Sequence, residues 1–200
     1  MTFQDDYGYG VKGWKGVGWS SEKDAYSRYE QFSNELEEGE IILDVGCGNG
    51  LFYEYLMMVK PYLDVDYYGI DVSQSFLKEF VKRFPEVEFR LIQGNFLEEP
   101  LRSTFDVIVA IGLVTDFDLD KKYEDLRKFI EKAISLAERK IIFDCLLETS
   151  DDRYAKKGVD PTKYDPVKVF SLLRNYSDDW IITFKEPVVF DDFMFIIKRK

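Results

Sequence analysis

Histidine is absent from this sequence of 200 residues, and cysteine is scarce. Without histidine the protein lacks the commonest general base, the commonest metal ligand and the side chain that changes charge near neutral pH. Any acid–base chemistry must therefore use Asp, Glu, Tyr, Cys or Lys. Cys47 and Cys145 are the only cysteines, too few for a disulfide scaffold or a zinc site. Both lie in apolar stretches typical of buried thiols in a reducing compartment, so we expect a cytoplasmic protein without a metal site.

Long hydrophobic runs and an excess of positive charge are also missing. No stretch reaches the ~18 apolar residues of a membrane span, and the first ten residues contain no apolar signal core. We therefore expect an unexported protein that does not associate with a membrane. The 27 Lys and Arg residues against 38 Asp and Glu residues give a net charge of −11. Because nucleic-acid binding depends on clustered cations, we expect no nucleic-acid partner and favour a small or cationic ligand.

The chain does contain enough apolar residues, 46%, to form a core. We predict a single domain, 1–200, with an N-terminal segment and helix at 1–38, a core at 39–147, and a loop, last helix and hairpin at 148–200. Short apolar runs alternate with amphipathic helices, which predicts a doubly wound, mostly parallel α/β sheet with helices on both faces. The first helix is predicted from Ser21 to Gly39. Seven strands are predicted, at 41–45, 67–71, 87–93, 105–111 and 140–147, with a C-terminal antiparallel hairpin at 180–185 and 192–198.

A glycine-rich stretch, D-V-G-C-G-N-G at residues 44–50, lies where the first predicted strand meets the next helix. In open α/β sheets, ligands bind at the carboxyl ends of strands, and glycines there let the backbone approach the ligand closely. A dinucleotide fingerprint would place its third glycine one residue later. Asp71 ends the second strand, where an acidic side chain can accept both hydroxyls of a ribose.

These residues, together with the Y-G-I-D-V stretch at 68–72 and Gly94-Asn95-Phe96, resemble the class I S-adenosylmethionine-dependent methyltransferases over roughly residues 40–147. The resemblance implies their Rossmann-like methyltransferase fold, S-adenosylmethionine as cofactor, and methyl transfer to a small-molecule acceptor by in-line displacement. Asn95 departs from the family, which usually has Asp there, but an amide can still bond adenine. The cofactor-binding residues implied are Asp44, Gly46, Cys47, Gly48, Asn49, Gly50, Asp71, Val72, Asn95, Phe96, Ala110, Ile111 and Gly112.

The N-terminal region offers two further candidate cofactor contacts, Arg28 and Trp19. Arg28, on the first helix, is expected to hold the methionine carboxylate, because a guanidinium pairs bidentately with a carboxylate; a surface salt bridge is the alternative. Trp19 ends a glycine- and aromatic-rich stretch, 7–19, which is interpreted either as a lid over the cofactor or substrate or as a static wrap. Cys47 is interpreted as a loop filler rather than a nucleophile, since no cation nearby in sequence would lower its pKa.

The candidate general base is Asp116, which follows the fourth strand. The structural alternative for the acidic residues after the fourth strand is that Asp118 or Asp120 caps the next helix. Three other functions stay open: a non-catalytic S-adenosylmethionine sensor or scaffold, an RNA methyltransferase using the cluster Lys156, Lys157 and Lys163, and a dinucleotide-dependent oxidoreductase. We expect a monomer or a homodimer.

Overall fold

The computed structural model describes residues 13–19, 21–148, 161–185 and 192–200. These residues form two compact units, Met1–Arg102 and Ser103–Lys200. The boundary falls inside the predicted core, 39–147, and the single-domain organisation of residues 1–200 stays a prediction.

The N-terminal unit contains three parallel strands in the order β3-β2-β1, with helices between them. The first strand is buried over its last four residues, as expected of a parallel strand covered on both faces. The last helix of the unit contributes Phe80, whose ring packs against Tyr53 and Tyr67 at centroid distances of 5.5 and 6.0 Å. The elements are α1 (Glu22–Ser33), β1 (Ile41–Val45), α2 (Leu51–Val59), β2 (Asp66–Asp71), α3 (Gln74–Arg83) and β3 (Leu91–Gln93).

The C-terminal unit combines parallel and antiparallel strands. Its first two strands pair in parallel, and the second continues into an antiparallel hairpin, giving the order β4-β5-β8-β7, with β6 pairing in parallel with β5. Phe143 and Phe195 are paired in the β5–β8 register, and their ring centroids lie 5.4 Å apart in the core. The elements are β4 (Phe105–Ala110), α4 (Lys122–Leu136), β5 (Ala137–Leu147), β6 (Lys163–Tyr164), α5 (Pro166–Leu173), β7 (Trp180–Lys185) and β8 (Asp192–Arg199).

The prediction of a mostly parallel sheet with a C-terminal antiparallel hairpin is confirmed. The described residues contain eight strands rather than seven; the additional one is the two-residue strand β6. The third strand begins at Leu91 instead of 87, because Pro85–Arg90 forms a 3₁₀ helix that starts with proline. No helix in the described parts of the chain is both long and apolar enough to cross a membrane.

The first helix is shorter than predicted. It begins after Ser21, whose side chain accepts a hydrogen bond from the amide of Asp24, as the capping pattern indicates. It ends at Ser33 rather than near Gly39. The reason is that the following amides have other acceptors: that of Glu37 donates to the Glu40 carboxylate, and that of Gly39 donates to a carbonyl at residue 63.

Candidate functional site

The loop between β1 and α2, residues 46–50, turns through three glycines in the left-handed region. The φ angles of Gly46, Gly48 and Gly50 are 78°, 55° and 82°, values that favour glycine. Gly50 also packs closely against α3, because a Cβ there would lie 2.3 Å from the Phe80 ring. We call residues 46–50 the glycine loop. Both the positive φ angles of this loop and its close packing against α3 require glycines at these positions.

Asp71, at the end of β2, holds this loop in place. One carboxylate oxygen accepts a hydrogen bond of 2.9 Å from the amide of Gly48, and the other accepts one of 2.7 Å from the amide of Ser73. Burial raises the pKa of Asp71, and these two bonds act against that rise. A carboxylate offers about four acceptor positions, so each oxygen keeps capacity for a further donor. The side chain is partly exposed, so it can take part in binding a ligand.

Asp44, the acid that precedes the glycine loop, is buried and accepts a hydrogen bond of 2.5 Å from the hydroxyl of Tyr67. Burial raises the pKa of Asp44 to about 7, while the Tyr67 bond lowers it and the charge of Asp71 raises it. Sequence reasoning missed Tyr67. The sequence pattern that could have indicated this contact is a tyrosine inside a predicted buried strand, because a buried tyrosine hydroxyl needs a hydrogen-bond partner.

The turn after β3 lies beside the end of β2, since the amide of Gly94 donates to the carbonyl of Asp71. Asn95 is exposed, and its side-chain oxygen accepts a hydrogen bond of 3.0 Å from the amide of Leu97. Phe96 is buried, whereas Val72 is 52% exposed. The two ends of the parallel strands therefore bring an exposed amide, an aromatic ring and the Asp71 carboxylate into one region of the N-terminal unit.

Cys47 lies within the glycine loop and is buried. A Cβ added to Gly69 of β2 would come within 2.7 Å of the Cys47 sulfur, so the thiol fills the space that this glycine leaves. Burial raises the pKa of the Cys47 thiol well above its ordinary value, and the charges of Asp71 and Asp44 add to the rise. A neutral thiol is a poor nucleophile, which agrees with its interpretation as a filler.

Residues 13–19 pack against both the glycine loop and α1. The side-chain amide of Asn49 donates a hydrogen bond of 3.0 Å to the carbonyl of Gly13. At the other end of the segment, the indole N–H of Trp19 donates to the hydroxyl of Tyr29 at 2.9 Å. Residues 7–12 of the predicted lid lie outside the described residues.

Arg28 of α1 is buried, with 2% of its surface exposed. Its guanidinium lies 4.6 Å from the centre of the Trp19 ring, and Nη1 donates to the carbonyl of Asp24 at 3.4 Å. The side chain is therefore buried under Trp19 and does not lie at the surface, where the alternative of a surface salt bridge would place it. The expected role of Arg28 toward a carboxylate stays a prediction.

In the C-terminal unit, the predicted residues Ala110, Ile111 and Gly112 stand at the end of β4. The amide of Gly112, whose φ is 75°, donates a hydrogen bond of 2.6 Å to the buried Asp144 carboxylate. We call residues 112–117 the β4 loop. Three side chains bond its carbonyls: Thr115 to Gly112 at 2.5 Å, Thr162 to Phe117 at 2.5 Å and Tyr164 to Val114 at 2.9 Å. Sequence reasoning assigned no role in this loop to Asp144, Thr115 or Thr162.

Asp116 lies in the 3₁₀ helix Leu113–Asp116 and is exposed. The capping interpretation of the acids beyond it is wrong: the N-cap of α4 is Lys121, with no side-chain hydrogen bond. Asp118 instead accepts a hydrogen bond of 2.9 Å from the amide of Asp120 in a local turn. Of the predicted lysine cluster, Lys156 and Lys157 lie outside the described residues.

Comparison with known proteins identifies relatives of part of the chain. Residues 42–136 match a family model described as a methyltransferase domain. YdaC of Bacillus subtilis, an uncharacterized methyltransferase, is 37% identical over 81 residues, which are 40% of this chain and 44% of that protein. The match therefore spans less than half of the relative's length.

Two solved structures share the fold over most of the chain. One is a magnesium protoporphyrin IX methyltransferase from Synechocystis with bound S-adenosylhomocysteine, at a TM-score of 0.68 and 15% identity, covering 99% of this chain and 93% of that one. The other is the N-methyltransferase NodS from Bradyrhizobium japonicum, at a TM-score of 0.62 and 15% identity, covering 89% of this chain and 87% of that one. The predicted Rossmann-like methyltransferase fold is confirmed.

Proposed function

We propose that the protein is a class I S-adenosylmethionine-dependent methyltransferase that transfers the methyl group to a small-molecule acceptor; the match of residues 42–136 to a methyltransferase domain supports this. The observation that carries the proposal is the Asp71 carboxylate, which holds the glycine loop through the amide of Gly48 and keeps an acceptor position on each oxygen. Two vicinal ribose hydroxyls fit such a carboxylate, since each can donate to one oxygen.

The neighbouring groups fit the other parts of the cofactor. Asn95 supplies an exposed side-chain amide, which can donate to an adenine ring nitrogen, beside the buried ring of Phe96. The amino end of α2 follows the glycine loop directly and favours negative charge, which suits the methionine carboxylate. Arg28 is a second candidate for that carboxylate.

Charge also favours this cofactor over a dinucleotide. S-adenosylmethionine carries a sulfonium and an ammonium group, and the Asp71 carboxylate bonds the glycine loop. Opposite charges attract in a partly buried site, whereas Asp71 would repel the pyrophosphate of a dinucleotide. Asp44, whose pKa burial raises to about 7, precedes the loop and adds less charge. The buried Tyr67 hydroxyl keeps Asp44 hydrogen-bonded in this position.

When bound, S-adenosylmethionine would supply a methyl carbon that an acceptor lone pair attacks in line with the carbon–sulfur bond, whose electron pair stays on sulfur as S-adenosylhomocysteine leaves. The chain's residues bind and orient the reactants and exclude water. Most of the rate increase of such a displacement comes from this orientation. The acceptor loses one proton, and Asp116 is the candidate base on the chain to take it. With no histidine in the sequence, little other acid–base help is needed or offered.

A small-molecule acceptor is supported by the net charge of −11, which disfavours nucleic acid. By its name, one structural neighbour acts on magnesium protoporphyrin IX, so this fold can take a small acceptor. The cytoplasmic location and the monomeric or dimeric state stay predictions.

Calorimetric titration with S-adenosylmethionine and S-adenosylhomocysteine tests the proposal, with NADH as the competing ligand. We expect both adenosyl compounds to bind, NADH not to bind, and Asp71→Ala to weaken binding while the exposed-acid control Asp178→Ala does not. Methyl transfer is then measured with isotopically labelled cofactor and a panel of amines, phenols and carboxylic acids. Binding of NADH without either adenosyl compound would overturn the proposal, and binding without turnover across the panel would favour a sensor.

A further inference from the structure

Asn49 connects the glycine loop to residues 13–19, which we call the N-terminal strap. Its side chain is 1% exposed, and Nδ2 donates a hydrogen bond of 3.0 Å to the carbonyl of Gly13 at the start of the strap. The backbone carbonyl of Asn49 accepts a separate hydrogen bond of 3.0 Å from Arg83 of α3. The backbone of Asn49 is therefore bonded to α3, and its side chain is bonded to the strap.

The strap also covers the loop residue that Asp71 holds. A Cβ on Gly48 would lie 2.8 Å from Cγ1 of Val17, so any larger residue at 48 would push the strap away. The same Gly48 donates its amide to Asp71. A displacement of the strap would therefore remove the contact on the residue whose amide bonds Asp71, the group proposed to hold the cofactor ribose.

The far end of the strap is fastened to α1. Trp19 donates its indole N–H to Tyr29, and the Arg28 guanidinium lies against the Trp19 ring. The middle of the strap has a turn that is closed by the amides of Gly16 and Gly18 on the carbonyls of Gly13 and Lys15. The amide of Trp19 donates to the carbonyl of Trp14 at 3.1 Å, so the strap is closed on itself. Among the described residues, the Asn49 bond is the side-chain hydrogen bond that joins this closed strap to the glycine loop.

The other side-chain atom of Asn49, Oδ1, is buried without a hydrogen-bond partner among the described residues. A buried acceptor left without a donor destabilises the conformation that buries it, because its bonds to water are lost and not replaced. The closed strap is thus less stable than a fully bonded one, and a single hydrogen bond from Nδ2 offsets part of that cost. Such a balance permits the Gly13 end to open while the backbone of Asn49 stays with α3.

We propose that Asn49 is a positioning residue that couples cofactor retention to closure of the N-terminal strap. The Nδ2–Gly13 hydrogen bond keeps the strap over the glycine loop, and its loss lets the Gly13 end open and the cofactor leave. This inference rests on the proposed function and adds to it a residue that controls cofactor exchange.

The test measures two quantities in the full chain. The first is the dissociation rate of S-adenosylhomocysteine by stopped-flow competition; the second is the rate of trypsin cleavage after Lys15, without any ligand, followed by mass spectrometry. Asn49→Asp keeps the shape of the side chain, removes the donor and sets a carboxylate oxygen against the Gly13 carbonyl. We expect both rates to rise at least about two- to tenfold, the effect of one net hydrogen bond, with the repulsion adding to it. Asn34→Ala is the matched control, since it also removes an asparagine hydrogen bond, to Lys60, away from the loop.

The possible outcomes separate the two proposals. If the unaltered protein does not bind S-adenosylhomocysteine, the proposed function fails. If it binds and Asn49→Asp changes neither rate, the coupling is wrong; a change in dissociation alone makes Asn49 a cofactor contact and also overturns it. Should Asn49→Asp unfold, Val17→Ala decides the question, because it loosens the strap without altering the loop and is expected to raise both rates.

Discussion

The glycine loop of the N-terminal unit and the β4 loop of the C-terminal unit are built around the same local contact. Each follows a buried parallel strand, and each has a glycine with positive φ whose strand neighbour supplies an aspartate: Asp71 of β2 accepts from Gly48, and Asp144 of β5 accepts from Gly112. The distances are 2.9 and 2.6 Å. In both units a carboxylate thus compensates an amide that no regular strand or helix would pair.

The two loops differ in what surrounds that carboxylate. Asp71 is partly exposed, and its neighbours in the loop are glycines, so a ligand can reach its remaining acceptor positions. Asp144 is 3% exposed, and hydroxyl groups of Thr115, Thr162 and Tyr164 bond the carbonyls of its loop. The same anchoring contact therefore occurs in a partly exposed loop, where we propose that a ligand binds, and in a loop whose carbonyls are bonded by side chains of its own unit.

The largest effect is expected from breaking the packing of the glycine loop. Gly50→Ala would place a Cβ against the Phe80 ring at a φ of 82°, so it combines overpacking with a left-handed backbone. We expect the free energy of unfolding in urea to fall by about 2–4 kcal/mol. Gly39→Ala is the control: its φ is 74° but nothing lies within 4 Å, so only the backbone cost of about 1–2 kcal/mol applies. Equal losses in the two variants would show that the Phe80 contact is unimportant.

The next prediction compares the two carboxylates directly. Asp71→Ala is expected to weaken binding of S-adenosylhomocysteine by about 1.5–3 kcal/mol, the cost of a lost charge-assisted hydrogen bond. Asp144→Ala removes the same kind of amide contact, so it is expected to lower the free energy of unfolding by about 1–3 kcal/mol. It should change the binding constant less than Asp71→Ala does, because Asp144 acts on the cofactor only through the predicted contact Gly112. Titration calorimetry and urea unfolding of both variants decide it. Unchanged affinity in Asp71→Ala would remove the main support for a cofactor site at this loop.

The last prediction is a pH dependence and concerns Asp44, the β1 residue that precedes the glycine loop. Its pKa is raised from 3.8 to about 7, so between these values the native state keeps a proton that the unfolded state has released. The free energy of unfolding should therefore fall as the pH rises from about 4 to about 7, by at most about 1.4 kcal/mol per pH unit for this one group.

Asp44→Asn should reduce this slope, and the exposed-acid control Asp64→Asn should not, in urea unfolding across that pH range. Tyr67→Phe should extend the slope to higher pH, because the Tyr67 hydrogen bond lowers the pKa of Asp44. A slope that is the same in Asp44→Asn as in the unaltered protein would mean that another group binds the proton.

The comparison also explains which parts of the site could be predicted. The glycine loop could be found because positive φ demands glycine, so backbone geometry leaves a readable pattern in residues 46–50. The β4 loop shows almost no such pattern in its own sequence. Its geometry depends on Asp144 and Thr162, which lie 32 and 45 residues along the chain from the groups they bond. Threonine and aspartate are common residues, and nothing local to them indicates such a partner.

Local sequence was sufficient for the order of strands and helices, the C-terminal hairpin and the glycine loop, because periodicity, caps and backbone sterics act over a few residues. It was insufficient where a residue's state depends on distant neighbours. The buried position of Arg28 beneath Trp19 and the Tyr67–Asp44 hydrogen bond both arise from contacts that exist only after the chain has packed. Burial and long-range hydrogen bonds are properties of the folded unit, and they determine which of the predicted residues can meet a ligand.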